Sequence, residues 1–399
     1  MTEPIAVSGF RDCEAALRNV NLKQALYDAG KVVMQDALVV LHGAEHARRR
    51  AVEVRVFRRN FFRYYEKELF PATMEETLTP FLAAGGGNLV ELGYRATANL
   101  TADFAGIDRP TKSVDETEQL IRIVKKLSEG ATLVHSTRDK VEVEAEVRST
   151  LKEFERDFLQ PSIARREALL ADKHAGHIDD AALPRDVLTV LLEAREEVAL
   201  APDQLLREIA FYMQAGAHST ANSVVHAFHE ICLWASDDFA RWQRLGDPVF
   251  IQRCVHESLR LHPASPVAWR TTTCPMRVQG LGEAEAGRRV VLDLFQANRD
   301  PLLYGDTADA FDPDRLVPYG TMPSGLTFGI GLHTCLGREL DGGVPVKPDS
   351  DPNTHQYGIV ALLLIRLFEV GMRPAPGAPP TADPATIRPN WSCYPITFF

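Results

Sequence analysis

The chain has 399 residues, 45% apolar and 25% charged, with 26 Gly and 25 Pro, proportions ordinary for a globular enzyme. Its 44 basic and 54 acidic residues give a formal net charge of −10, which argues against general binding to nucleic acid or to an anionic membrane. No apolar run reaches the roughly 20 residues that span a bilayer. Residues 1–10 lack the basic-then-apolar order of a secretory signal, so a cytoplasmic location is expected.

In chain order, Ala44 to Glu68 carries Val52, Val56 and aromatic residues on one side. Arg48, Arg55, Arg59 and Arg63 recur at helical spacing on another, so the periodicity predicts one helix with a basic face. Leu89 to Ala105, Glu116 to Glu129 and Asp139 to Leu170 continue the helical pattern. Asp203 to Trp234 is the longest candidate, far beyond an average helix, and Pro248 to Leu261 ends before Pro263, whose ring cannot continue the ladder. From Ala268 the pattern changes: Arg270 to Val278 and Arg288 to Leu294 alternate as strands do, and a Pro, Gly and Asp-rich stretch follows from Arg299 to Gly325. A last helix is expected over His355 to Val370, then a strand-like end from Trp391 to Phe399. No repeat or composition break divides the chain, which reads as one mainly helical domain over residues 1–399 with a minor β portion.

Six cysteines (Cys13, Cys232, Cys254, Cys274, Cys335, Cys393) are scattered without a CxxC pair, which speaks against a disulfide framework or a sequence-local zinc site. Cys335 stands apart, because Phe328-Gly-Ile-Gly-Leu-His-Thr-Cys-Leu-Gly337 packs three glycines, a His and a Cys into one loop. Glycines let such a loop lie close to a flat ligand, and a thiolate within it can bind a metal. A dinucleotide-binding turn is rejected, since Thr334 stands where its third Gly is required. A nucleophilic Cys335 served by His333 stays open on the residues alone.

The pattern Phe-Gly-x-Gly-x-His-x-Cys-x-Gly is similar to the haem-binding loop of the cytochrome P450 superfamily, and Phe328, Gly329, Gly331, His333, Cys335 and Gly337 meet every fixed position. The resemblance implies the P450 fold, haem b as cofactor, Cys335 as the axial thiolate ligand of its iron, His333 at a haem propionate and Phe328 shielding the sulfur. Glu257-Ser-Leu-Arg260, followed by Leu-His-Pro, resembles the family's Glu-x-x-Arg. Phe311-Asp-Pro-Asp-Arg315 resembles the motif whose Arg completes that network, which implies a structural role for Glu257, Arg260 and Arg315. His46 and Arg50, and Arg270, resemble further propionate partners. Ala215-Gly-Ala-His-Ser-Thr220 aligns with the oxygen-activation segment, which makes Gly216, His218, Ser219 and Thr220 the catalytic candidates. His218 replaces the usual acid and Ser219 the usual threonine; both can still move protons.

Two departures accompany the resemblance. Few residues precede His46, so the family's first helix and opening strands are expected to be lacking, with Phe10 to Arg18 as its second helix. An insertion of about 341–358 interrupts the helix expected directly after the cysteine loop. The implied activity is a monooxygenase inserting one atom of O2 into an apolar substrate, with NAD(P)H electrons delivered by a ferredoxin or flavodoxin and its reductase, docked on the basic face. Peroxide-driven or non-oxygenating haem-thiolate chemistry, and a non-catalytic haem or ligand binder, are the alternatives. Leu22 to Leu41, Phe211 to Ser219, Ala264 to Ala268 and Trp391 to Pro395 are the expected pocket walls.

Overall fold

The helix Pro202–Ala235 runs 34 residues, about 51 Å at the usual rise, through the centre of the molecule. Pro202 occupies its first turn, where no N–H is needed, and the Gln204 side chain accepts the Ala201 N–H. Beside it lies Leu89–Ala105, and small residues set the approach. A Cβ on Gly216 would stand 2.8 Å from the Thr101 side chain, Gly93 faces Ala221, and the Thr97 hydroxyl donates to the Ala217 carbonyl at 3.0 Å. The structure, a computed structural model, describes residues 4–278, 282–347, 350–352 and 354–399; it is 58% helix and 10% strand.

Most periodic segments form the helices expected of them. Leu89–Ala105 and Pro248–Leu261 match at both ends, and Val114–Ala131 runs two residues longer each way, capped by the Ser113 hydroxyl on Glu116 N–H. Lys140–Phe154 continues through a π turn, Glu155–Leu159, into Gln160–His174. A four-stranded sheet is ordered Ile5–Val7, Arg289–Asp293, Val267–Thr272, Leu22–Gln24. Along Val267–Thr272 burial alternates with period two, which sends Arg270 inward opposite Gln24. One apolar cluster surrounds the long helix, and a smaller one fills the space under the sheet.

Four expectations need correction. The segment Ala44 to Glu68 is not one helix: Gly43–Glu53 ends in the 3-10 turn Val54–Val56, and Phe57 and Arg58 leave helical geometry before Arg59–Tyr64 begins. The cause is Phe57, whose ring packs against Phe62, Phe104 and Tyr212. Arg48 therefore lies on the first helix, Arg55 in the 3-10 turn and Arg63 on the second helix; Arg55 pairs with Glu197 at 2.7 Å, and the side chain of Arg59 lies outside the described residues. Ahead of Phe10–Arg18, where no strand was expected, Ile5–Val7 pairs in parallel with Val290, Val291 and Leu292. The last helix starts at Ile359, not at residue 355.

The fourth concerns the segment after the cysteine loop. A short helix, Arg338–Gly342, does form there, and the chain then loops out before Ile359–Glu369 resumes. Gly343 and Gly358 meet at the neck of this loop, both at positive φ (74° and 85°), and a Cβ on either would overlap the other's strand of chain. Val344 N–H donates to Gln356 C=O at 3.0 Å. The buried Gln252 amide is directed at the carbonyls of Gly342, Val344, Gln356 and Tyr357, so the loop is pinned at its base. Residues 348, 349 and 353 of the loop lie outside the described residues. No helix among the described residues is long and apolar enough to cross a membrane.

Candidate functional site

The cysteine loop is shaped by its glycines and closed by one backbone bond. Gly329 and Gly331 take φ of 60° and 76°, and a Cβ on Gly331 would stand 2.8 Å from the carbonyl of Leu17, so the loop rests on the end of Phe10–Arg18. Cys335 N–H donates to Phe328 C=O at 2.8 Å. The Cys335 surface is accessible, and it faces a cavity. Burial, then the Asp341 carboxyl, pushes its thiol up to about 11, while the Gly337 backbone and Arg50 work in the opposite direction. A cation bound at Sγ would be needed to hold it as thiolate near neutral pH.

Behind the loop, Arg260 donates from Nε and Nη2 to the two carboxylate oxygens of Glu257 at 2.8 and 2.7 Å, and Arg315 Nε joins Glu257 at 2.9 Å. Arg260 and Arg315 also donate to carbonyls of the 298–310 stretch, at Asn298, Ala308, Tyr304 and Thr307. The i, i+3 spacing on Pro248–Leu261 makes the first pair; the long-range arginine ties the helix to the meander.

The cavity, about 370 Å³, is lined by all eleven candidates named for catalysis and cofactor binding: Gly216, His218, Ser219, Thr220, Cys335, His333, Phe328, Gly329, His46, Arg50 and Arg270. His46 is fully buried with both ring nitrogens unpartnered, and its ring meets that of His333 edge-on, centroids 4.6 Å apart. Burial first, then nearby cations, lowers His46 to about 4 and His333 to about 3. Arg50 donates to the Thr334 carbonyl at 2.7 Å. Arg270 donates to Gln24 Oε1 at 3.0 Å and has no carboxylate partner among the described residues, and burial lowers it to about 10. These are two guanidiniums without a carboxylate partner among the described residues and two imidazoles with unpartnered buried nitrogens, gathered around one accessible thiol and a glycine-rich wall. That set fits haem, whose two carboxylates would satisfy the cations while Cys335 meets the metal.

On the long helix the candidates separate. His218 Nδ1 shares a hydrogen bond with the Tyr94 hydroxyl, its Nε2 is buried and unpartnered, and burial lowers its pKa well below the usual imidazole value. Ser219 donates to the carbonyl of Ala215, one turn back. Thr220 donates to Asp341, whose carboxyl burial raises to about 6. Gly216 is explained by its contact with Thr101. A second cavity of about 20 Å³, room for one water molecule, lies behind this turn and is lined by His218, Ser219, Asn222, Ser223, His226 and His262, among others. Among the walls expected from sequence, Trp391 to Pro395 does not reach the cavity: Trp391 packs on His226 and His229, and Arg388 reaches it instead. Arg388 and Asp341, which line the cavity, and Tyr94, which meets His218 behind it, belong to no motif, so nothing in the sequence singles them out.

The family model described as Cytochrome P450 matches residues 232–340. A "Putative cytochrome P450 137" of Mycobacterium tuberculosis is 29% identical over 194 residues, 46% of this chain and 37% of that protein, so the match spans little more than a third of the relative's length. Among solved structures, CalO2 superposes with a TM-score of 0.73 at 19% identity, covering 99% of this chain and 90% of that one. P450BioI, in complex with a hexadec-9Z-enoic acid ligated acyl carrier protein, also gives 0.73 at 18% identity, with 99% and 91% covered. The superfamily's cofactor is haem, which the donor set around Cys335 suits. Residues 232–340, which hold the cysteine loop and the Glu257–Arg260–Arg315 network, thus match the cytochrome P450 superfamily in sequence, and the chain as a whole has the superfamily's fold.

Proposed function

We propose that the chain is a haem-thiolate monooxygenase that places one oxygen atom of O2 in an apolar organic substrate, using two electrons from NAD(P)H through a ferredoxin or flavodoxin partner. The observation that carries this reading is that Cys335, two guanidiniums without a carboxylate partner among the described residues, two imidazoles with unpartnered buried nitrogens and the Ala215–Thr220 turn all open onto one cavity. Bound there through a thiolate, haem supplies reductive activation of dioxygen. The overall reaction takes substrate, O2, two electrons and two protons to hydroxylated substrate and water.

The chain's own residues then have four tasks. Cys335 holds the metal, and His46, Arg50, Arg270 and His333 hold the two carboxylates. The apolar wall excludes bulk water. Two protons must still arrive, and His218 is placed to pass them: a neutral imidazole accepts at one nitrogen and releases at the other. Tyr94 serves Nδ1, and a water in the small cavity would serve Nε2. Ser219, with its own proton on Ala215, offers a lone pair toward the cavity; Thr220 is engaged by Asp341.

The absorption spectrum of the reduced, carbon-monoxide-bound protein tests the reading. A strongly red-shifted Soret band that disappears in Cys335→Ala is expected; an imidazole-type band overturns it. One observation favours a second reading, peroxide-driven oxidation: the acid is replaced by a buried His218 that resists protonation. Peroxide brings its own protons and electrons, so turnover with hydrogen peroxide as fast as with the full redox chain supports that alternative.

A further inference from the structure

The cavity wall carries three guanidinium groups, Arg50, Arg270 and Arg388, against a single carboxyl, Asp341, which is engaged by Thr220. An uncompensated guanidinium in such a place is costly, so each calls for an anion. Arg50, donating into the cysteine loop, and Arg270 stand with His46 and His333, where the two haem carboxylates are accounted for. Arg388 is left over. It also lines the small cavity beside His218 and Ser219, as Arg50 and Arg270 do not, and none of its side-chain hydrogen-bond partners belongs to the cysteine loop.

Those partners are all neutral oxygens. Arg388 Nε donates to Thr386 Oγ1 at 3.4 Å, Nη1 to the Ala264 carbonyl at 3.4 Å and Nη2 to Thr132 Oγ1 at 3.1 Å. A guanidinium has five N–H groups, so one on each terminal nitrogen remains, the pair that binds a carboxylate at two points. Among the described residues, Asp383 acts on Arg388 only through space, and no carboxylate forms an ion pair with it. Elsewhere the wall is mainly apolar and otherwise uncharged apart from the histidines of the site, His46, His218 and His333, with Leu26, Leu38, Phe104, Phe211, Val267 and Ile359.

We propose that Arg388 receives the carboxylate of an apolar organic acid whose hydrocarbon body fills the cavity beside the long helix. This rests on the monooxygenase reading only in taking that cavity for the substrate pocket. The acid's charge fixes one end of the molecule, so the position presented for oxidation is set by its distance from the carboxylate.

The test titrates the purified holoprotein with dodecanoate and with methyl dodecanoate, which has the same body without the charge. Binding is followed both by the haem band and by tryptophan fluorescence. Dodecanoate is expected to bind at least about tenfold tighter than the ester. Arg388→Gln should remove that difference while leaving ester binding, melting temperature and haem content unchanged, and Arg388→Lys should restore part of it. Equal binding of acid and ester by the wild-type protein overturns the proposal, as does failure of a series of longer and shorter saturated acids to bind. Loss of haem from Arg388→Gln also overturns it, by assigning the arginine to the cofactor. Should the carbon-monoxide spectrum fail to show a thiolate, the monooxygenase reading falls, and the acid-against-ester difference in fluorescence still decides this one.

Discussion

A buried guanidinium is tolerable only where its partners stay. Arg260 is fully buried and completes Glu257, so Arg260→Leu leaves a carboxylate without its main partner. The expected cost is about 3–5 kcal/mol, read as a fall in the urea midpoint with unchanged slope. Arg270 differs, because on the proposed reading its anion is the cofactor's. Arg270→Leu should fold and melt as before when haem-free, yet retain haem less well, which dialysis against apomyoglobin measures. At this scale the motif residues were legible through their resemblance to a family pattern, since a loop that must grip a flat ligand has little sequence freedom. Arg49 was not: its neighbour Arg48 drew notice as part of an exposed row, whereas Arg49 sits inside between Glu53 and Glu208, with Tyr212 donating to Glu53. A one-residue step along a helix turns a side chain by about 100°, and composition does not say which arginine points in.

Among the elements, the looped segment 343–358 interrupts one helix without moving its two halves far apart, because its ends touch. Replacing residues 345–355 by two glycines keeps the Val344–Gln356 bond. It removes the His355–Gln252 contact, for an expected change of about 1 kcal/mol in stability and none in haem content. The loop's exit is held by Glu66, which accepts the Gly358 N–H at 2.8 Å. Burial raises this carboxyl from 4.5 to about 7. The folded chain then holds the proton more tightly than the unfolded one, so its contribution is full below about 4.5 and is lost as pH rises through about 7. Glu66→Gln keeps the acceptor and removes the titration. It should stabilise the protein by roughly 1–3 kcal/mol at pH 8 and by less at pH 5, measured as urea midpoints at both. Helix existence was legible here from period 3.6; the break at Phe57 was not, since an aromatic residue at helical spacing fits a helix until the core claims its ring.

At the scale of the whole molecule, helices, sheet and cysteine loop converge on a space that is cationic inside an acidic protein. Such a cavity makes folding and cofactor binding one linked equilibrium. Haem in thousandfold excess over its dissociation constant should stabilise the chain by about 4 kcal/mol, seen by calorimetry as a large gap in melting temperature between haem-loaded and haem-stripped protein. The convergence itself was only partly legible. Sequence order placed the motifs along the chain, but Arg388 approaches from a Pro-rich tail whose hairpin, Thr381–Ala382 with Trp391–Cys393, is held to the distant Ser136 by a bridge at Thr386, which local pattern does not encode.

The five-residue helix after the cysteine has an electrical consequence. Peptide dipoles add along a helix, and a full-length helix would aim the positive end of many aligned amides toward the sulfur. Here the loop cuts that column to little more than one turn, Arg338–Gly342, before it resumes at Ile359. With haem held at Cys335 as proposed, a thiolate there would have less of its charge offset by backbone amides, and restoring a continuous helix in place of the loop should raise the reduction potential of the bound haem, read by spectroelectrochemical titration.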